Sequence, residues 1–212
     1  MDEGFTHLAF SGERYTDSAA KLISSYQPLL ARLEEWRPPG RLLEAARGRG
    51  WEVLGLDPSR FAAEHVARTF GLPVVCSTLA EAALEPASFD AVTLIHSLEH
   101  LPDPVAALTE ATRLLRPGGV VFVETPNSAC DDHALFGRDW LLLNPTEHVC
   151  IFDPPTLARA MGLAGLRVLQ LSAPVHDPLH GGVLQAWAER PKRVSVTRLA
   201  ASRGWPRRWP RR

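Results

Sequence analysis

Residues 41–57 read RLLEAARGRGWEVLGLD, and the course the chain takes through them decides the fold. The second half, WEVLGLD, is an apolar run closed by an acid, the pattern of a strand buried on both faces. The first half has two readings. If Leu42, Leu43 and Glu44 form a neighbouring parallel strand, only the six residues 45–50 are left to connect the two. A right-handed crossover between adjacent parallel strands takes about a dozen residues or more. The local alternative is a helix: residues 41–47 are strong helix formers, and Gly48 stands where a C-terminal capping glycine belongs. The stretch therefore predicts a short helix or irregular link, with the first strand and its crossover helix absent or displaced.

Downstream, strand-like and helical runs alternate. Pro58-Ser59 opens a helix that Gly71 stops, residues 73–76 (PVVC) make a short strand, and residues 89–95 (FDAVTLI) make a longer one. Asp103-Pro104 caps a helix that Arg116-Pro117-Gly118-Gly119 breaks, and residues 120–124 (VVFVE) form another buried strand. A helix from Pro155 to Met161 and strands over 166–171 and 182–188 complete the series. Strands that are apolar on both faces and separated by helices predict an α/β fold, a doubly wound and mostly parallel sheet. Upstream, residues 16–36 carry apolar side chains at helical spacing, bounded by Asp17 and by Pro38-Pro39-Gly40.

The 212 residues suit one domain, expected over 1–190, with 1–37 a helical extension and 191–212 a basic tail. Nine of the 23 Lys and Arg residues lie between Arg190 and Arg212, which holds no acid, so 14 face all 24 acids in the rest. That body is too acidic to favour nucleic acid. The tail, RLAASRGWPRRWPRR from Arg198, is expected to be disordered. No 18-residue apolar run occurs, so no transmembrane segment is expected, and the acidic start does not read as a secretory signal. Cys76, Cys130 and Cys150 form no C-x-x-C pair and are expected as free thiols in a cytoplasmic protein.

Residues 51–59 (WEVLGLDPS), 89–104 (FDAVTLIHSLEHLPDP), 114–127 (LLRPGGVVFVETPN) and the block from Glu147-His148 to Phe152 occur in the order and spacing of class I S-adenosylmethionine (SAM) methyltransferases. Over roughly residues 38–190 the chain resembles that family, and within it the subgroup containing the ubiquinone-biosynthesis O-methyltransferases. The resemblance implies a Rossmann-like sheet and methyl transfer from SAM to a small-molecule acceptor, most readily a hydroxyl oxygen. It also exposes a gap. The family's first strand leads into Gly-x-Gly-x-Gly and a helix. Here residues 45–50 (AARGRG) follow, and Gly48-x-Gly50 lies just before the second strand, the wrong place for that loop. A catalytically inactive relative that no longer binds SAM is therefore the alternative expectation. An apolar face left by the missing helix would recruit a second copy of the chain.

The resemblance implies a site. Asp57, at the carboxyl end of its strand, would accept the ribose hydroxyls of SAM, and Ser77 and Thr78 would lie at its adenine; as bare sequence, Asp57, Ser77 and Thr78 equally suit helix caps. His96-Ser97-Leu98-Glu99-His100 follows the central strand. The subgroup carries acid-x-x-Glu-His here and is associated with a divalent metal, so Glu99 and His100 are candidate ligands, with His96 in place of the acid. On a helical turn His96, Glu99 and His100 share one face, a set better suited to a transition metal than to Mg²⁺. Glu99 and His100 equally suit a purely loop-shaping role. His96 is the candidate general base, its ordinary pKa lying near neutrality. His133 and Glu147-His148 fall in the segment expected to cover the substrate, and Trp140 with residues 141–143 would line an apolar pocket or plain core.

Overall fold

The computed structural model describes residues 6–11, 40–173 and 182–192. The helix expected over 16–36 and the tail from residue 193 lie outside the described residues. Arg41–Arg47 is a helix, α1, as its composition demands. Its start is fixed by Gly40, whose φ of 86° sits in the left-handed region and whose missing Cβ would otherwise come within 2.7 Å of Val66 Cγ1. The strands and helices that follow are β2 (Glu52–Asp57), α2 (Arg60–Phe70), β3 (Val74–Cys76), β4 (Phe89–Ile95), α3 (Pro104–Leu114), β5 (Leu115–Pro126), α4 (Asp131–Phe136), α5 (Pro154–Leu163), β6 (Arg167–Ser172) and β7 (Val183–Glu189). The expected caps are present: Ser59 accepts from Ala62 N, Asp103 from Ala106 N, and Gly71 ends α2 in the left-handed conformation.

One strand has no counterpart in the sequence reading. Thr6–Ser11 forms β1, inside the stretch expected to be a helical extension. The strand order is β3-β2-β1-β4-β5-β7-β6, so β1 lies inside the sheet, between β2 and the central β4. It runs antiparallel to both neighbours, with Thr6 opposite Leu56, Ser11 opposite Glu52 and Leu8 opposite Val92. The β2–β3 and β4–β5 ladders are parallel, and β7 runs antiparallel to β5 and β6. Five strands therefore share one direction, and β1 and β7 oppose them. The displaced first strand is thus replaced by a segment arriving from the amino-terminal side and running the other way.

The sheet is covered on both faces. Leu42, Leu43 and Ala46 of α1 and Val66 of α2 pack with Trp51, Val53, Ala91, Val120, Phe122 and Trp187. The other face packs Leu108, Ala111 and Leu114 of α3 and Leu157 and Met161 of α5 against Leu56, Val92, Leu94, Val121 and Val123. No helix among the described residues is long and apolar enough to cross a membrane.

Candidate functional site

Strands β2, β4 and β5 end at one edge of the sheet, the edge where open α/β sheets bind ligands. Asp57 is the last residue of β2 and is fully buried. Its Oδ1 accepts a 2.7 Å bond from Ser59 N, so the carboxylate is turned toward the first turn of α2. Its carbonyl accepts from Ser77 N at 3.1 Å, which ties the end of β3 to the end of β2. Asp57, Ser77 and Thr78 thus share one corner. Thr78 also serves its own turn: its hydroxyl donates to Glu81 Oε2 at 2.7 Å and accepts from Glu81 N at 3.3 Å.

Beyond β4 the chain turns at His96, whose φ of 45° is left-handed for a non-glycine residue. The turn is held by His96 N donating to Glu124 O at 2.9 Å, and a 3₁₀ turn, Leu98–His100, follows. His96 Nδ1 lies 3.1 Å from Glu99 Oε1, and Nε2 lies 3.5 Å from Glu124 Oε1. Burial of the ring works against its charge. The hydrogen bonds and charges of Glu124 and Glu99 outweigh that, and the His96 pKa is pushed up to about 10. An imidazolium with both N–H groups aimed at carboxylates has no lone pair for a substrate proton below that pH. The base role expected of His96 does not follow from this geometry. Glu99 is fully buried, which pushes its carboxyl up. The bond and charge of His96 and the 2.9 Å bond from Thr125 Oγ1 reverse that and hold it below the ordinary range.

On its other side Glu99 meets two further imidazoles, His100 and His148. One oxygen of Glu99 and one ring nitrogen each of His100 and His148 all lie within 4.8 Å of one another. Residues 48 positions apart meet because Val149 N and Cys150 N both donate to Glu99 O, at 2.9 and 3.2 Å. The two rings are 4.9 Å apart, edge to face. His100 Nδ1 lies 3.1 Å from Glu147 O, and His148 Nδ1 lies 2.7 Å from Leu142 O. Carbonyls only accept, so each Nδ1 is the donor, and in the neutral ring the lone pair then lies on Nε2. Two imidazoles in that form and a carboxylate are a donor set that suits a divalent transition metal. Sequence reading also passed over Glu124, which interrupts an otherwise apolar strand and receives Gln185 Nε2 at 2.7 Å. That interruption was the available signal, since lone acids seldom occupy buried strands. Trp140 is buried against the His133 ring, 4.9 Å away, while Leu141 is 71 % exposed, so the expected pocket lining divides between core and surface.

The fit to SAM divides along the sheet. A buried carboxylate at the end of β2 suits the adenosyl end. The methionine end needs backbone N–H groups presented by a strand-to-helix turn at the same edge. Because β1 is antiparallel, its Ser11 end lies beside Glu52, at the opposite edge, and Thr6 stands beside Leu56 instead. The described residues fit the adenosyl half and supply no such turn for the other.

Comparison with known proteins agrees with this architecture. Residues 39–171 match the family model described as a methyltransferase domain. The chain is 32% identical over 154 residues to a ubiquinone biosynthesis O-methyltransferase of Methylococcus capsulatus, covering 67% of this chain and 65% of the relative. It is 35% identical over 153 residues to the protein of that name from an Azoarcus species, covering 66% and 65%. The chain thus spans about 65% of the length of these relatives. Among solved structures, a SAM-dependent methyltransferase of Thermotoga maritima superposes with a TM-score of 0.57 at 20% identity, covering 72% of this chain and 78% of that one. One of Methanosarcina mazei gives 0.53 at 16% identity, covering 65% and 81%. At those identities the structures attest the fold.

Proposed function

This chain belongs to the class I family of SAM-dependent methyltransferases, and from that premise we propose that it transfers a methyl group from SAM to a hydroxyl oxygen of a small molecule. One observation carries the reading: Asp57 at the end of β2 and the Glu99, His100 and His148 cluster past β4 stand at the same edge of one sheet. Bound SAM supplies a methyl group on a sulfonium that is already a good leaving group, so placing the acceptor provides most of the rate. Asp57 takes the ribose hydroxyls, with Ser77 and Thr78 on the adenine side. His96 is a positioning residue: its charge keeps Glu99 ionised, and its bonds to Glu99 and Glu124 fix both carboxylates. The name carried by the relatives supports oxygen as the accepting atom.

Calorimetric titration of SAM and S-adenosylhomocysteine into the full chain, in EDTA, tests this. Micromolar binding that Asp57→Ala abolishes is the expected result. Absence of heat at millimolar ligand overturns it and favours a second reading, a family member that no longer binds SAM. The antiparallel β1, whose Ser11 end lies at the edge away from Asp57, is the observation behind that second reading.

A further inference from the structure

We infer that the arginine- and tryptophan-rich segment 193–212 docks on this chain's own residues 131–150, the segment that borders the site edge. Four of the seven exposed large apolar side chains among the described residues lie in 131–150: Leu135, Phe136, Leu141 and Val149. The other three, Phe61, Val75 and Leu163, stand on separate elements, α2, β3 and α5. Single exposed apolar side chains are ordinary, whereas a group of them rimmed by polar residues marks an interaction surface. The rim here is acidic: residues 131–150 hold Asp131, Asp132, Asp139 and Glu147 against one arginine, Arg138. The segment is a built unit. The His133 and Trp140 rings are 4.9 Å apart, Leu143 N donates to Trp140 O at 3.0 Å, and His148 Nδ1 donates to Leu142 O at 2.7 Å. Val149 N and Cys150 N pin it to Glu99 O.

The occupant with matching chemistry is in the same chain. Residues 193–212 hold seven arginines, no acid, and the repeat WPRRWPRR from Trp205. Trp205 and Trp209 bring large apolar faces to Leu135, Phe136, Leu141 and Val149, and the arginines bring charge to the four carboxylates. Reach is sufficient. Glu189, the end of β7, stands opposite Val120, whereas Val183 stands opposite Pro126, so the chain leaves β7 at the edge away from the site. That exit is fixed by Gly118 N donating to Arg190 O at 2.8 Å and Arg190 N donating to Gly119 O at 2.9 Å. The way back along the sheet, from Val120 to Pro126, is ~20 Å, and a fully extended chain from Lys192 spans ~43 Å by Trp205 and ~56 Å by Trp209. A tether of this length gives an effective concentration on the order of mM, so modest affinity at each contact is enough. The docked segment would border Leu142 and His148, on the approach to Glu99, and so restrain access to the site edge. Docking needs no bound SAM, so the inference stands apart from the methyl-transfer reading.

The test reads both sides of the contact in the full chain, with no SAM present. Amide hydrogen exchange over 131–150 is compared between the unaltered chain and the double variant Trp205→Ala/Trp209→Ala. Trypsin cleavage after Arg203 and Arg208 is compared between the unaltered chain and Leu141→Ser. Leu141 is 71 % exposed, so the fold does not depend on it, and circular dichroism checks that both variants are folded. Expected are several-fold faster exchange over 131–150 in the tryptophan variant, with β4 and β5 unchanged, and several-fold faster cleavage of the tail in Leu141→Ser. Unaltered exchange over 131–150 in the tryptophan variant, or unaltered cleavage in Leu141→Ser, would overturn the assignment. Protection of 131–150 that rises with chain concentration would overturn it in favour of a second copy as the source of the segment. Unaltered exchange together with a tryptophan fluorescence response to phosphatidylglycerol vesicles or to a DNA duplex would overturn it in favour of an outside partner.

Discussion

Removing residues 1–11 should unfold or aggregate the protein, because they contain an interior strand, the one that joins β2 to β4. β1 pairs with β2 at five positions and with β4 at two, and Leu8 and Phe10 are paired on both sides. Each hydrogen bond in such a ladder contributes about 1 kcal/mol net. Its loss also leaves facing edges on β2 and β4 whose buried N–H and C=O groups cost about 1–3 kcal/mol each when unsatisfied. The total is on the order of 5 kcal/mol or more, comparable with the whole stability of an ordinary domain, about 5–15 kcal/mol. A milder form is Leu8→Pro, which removes a ladder donor from a strand paired on both sides and leaves its acceptor unsatisfied, costing about 1–3 kcal/mol; Leu8→Val, a good strand former, is the control.

The assay is urea unfolding of the full chain, the chain from residue 12 and the two Leu8 variants, with amide hydrogen exchange read at Ala91 to Ile95 of β4 and Val53 to Leu56 of β2. The expected result is loss of the cooperative transition in the truncated chain, a lower midpoint in Leu8→Pro, and fast exchange in both segments. The exposed edges should also make the truncated chain aggregate. An unchanged midpoint together with full protection of β2 and β4 in the truncated chain would refute the reasoning. It would mean that β2 and β4 close directly on each other and that residues 6–11 are not the strand between them.

Gly119→Ala should be destabilising, because a Cβ there would come within 2.9 Å of Asp90 O and 3.0 Å of Arg116 O, both backbone atoms. The expected cost of about 1–3 kcal/mol lowers Tm by roughly 2–4 °C per kcal/mol, readable by calorimetry. Asp153 caps α5 in a capping box with Thr156, and its bonds from the Thr156 hydroxyl and then the Thr156 N–H hold its carboxyl below the ordinary carboxylate range. A folded pKa below the unfolded one means the stabilisation is present above the unfolded pKa and fades as pH falls through the folded one. Thermal melts taken down through the acid range should therefore show a smaller loss in Asp153→Asn than in the unaltered chain, and identical acid slopes would contradict this.

Most of the sheet was legible because its strands are continuous apolar runs closed by glycine, proline or an acid. Residues 89–95 became β4, and Asp103-Pro104 capped α3 at the expected place. Even the reading of residues 41–47 as helix followed from one length, the six residues before Trp51, set against the span of a crossover. β1 was not legible for a matching reason. THLAFS is six residues long, has no strand-closing glycine or proline inside it, and gains its hydrogen bonds only from β2 and β4, more than forty positions away. Local propensity carries no information about a slot that distant strands create.

The site divides in the same way. Asp57, Glu99 and His100 could be picked out because each belongs to a local pattern, a strand end or a short turn. His148 could not be joined to them, because what joins it is the pair of backbone bonds from Val149 and Cys150 to Glu99 O. Those bonds also explain why the position of the missing acid could change residue type without emptying the cluster. With His148 brought in by the main chain, the Glu99, His100 and His148 cluster forms without position 96, and His96 lies between Glu99 and Glu124. The reversed β1 has no comparable effect on this half of the site. It alters the sheet beside Leu56 and Glu52, whereas the cluster hangs from the far side of β4. The Asp57 corner and the Glu99 cluster therefore hang from different strands, so loss of one need not take the other with it.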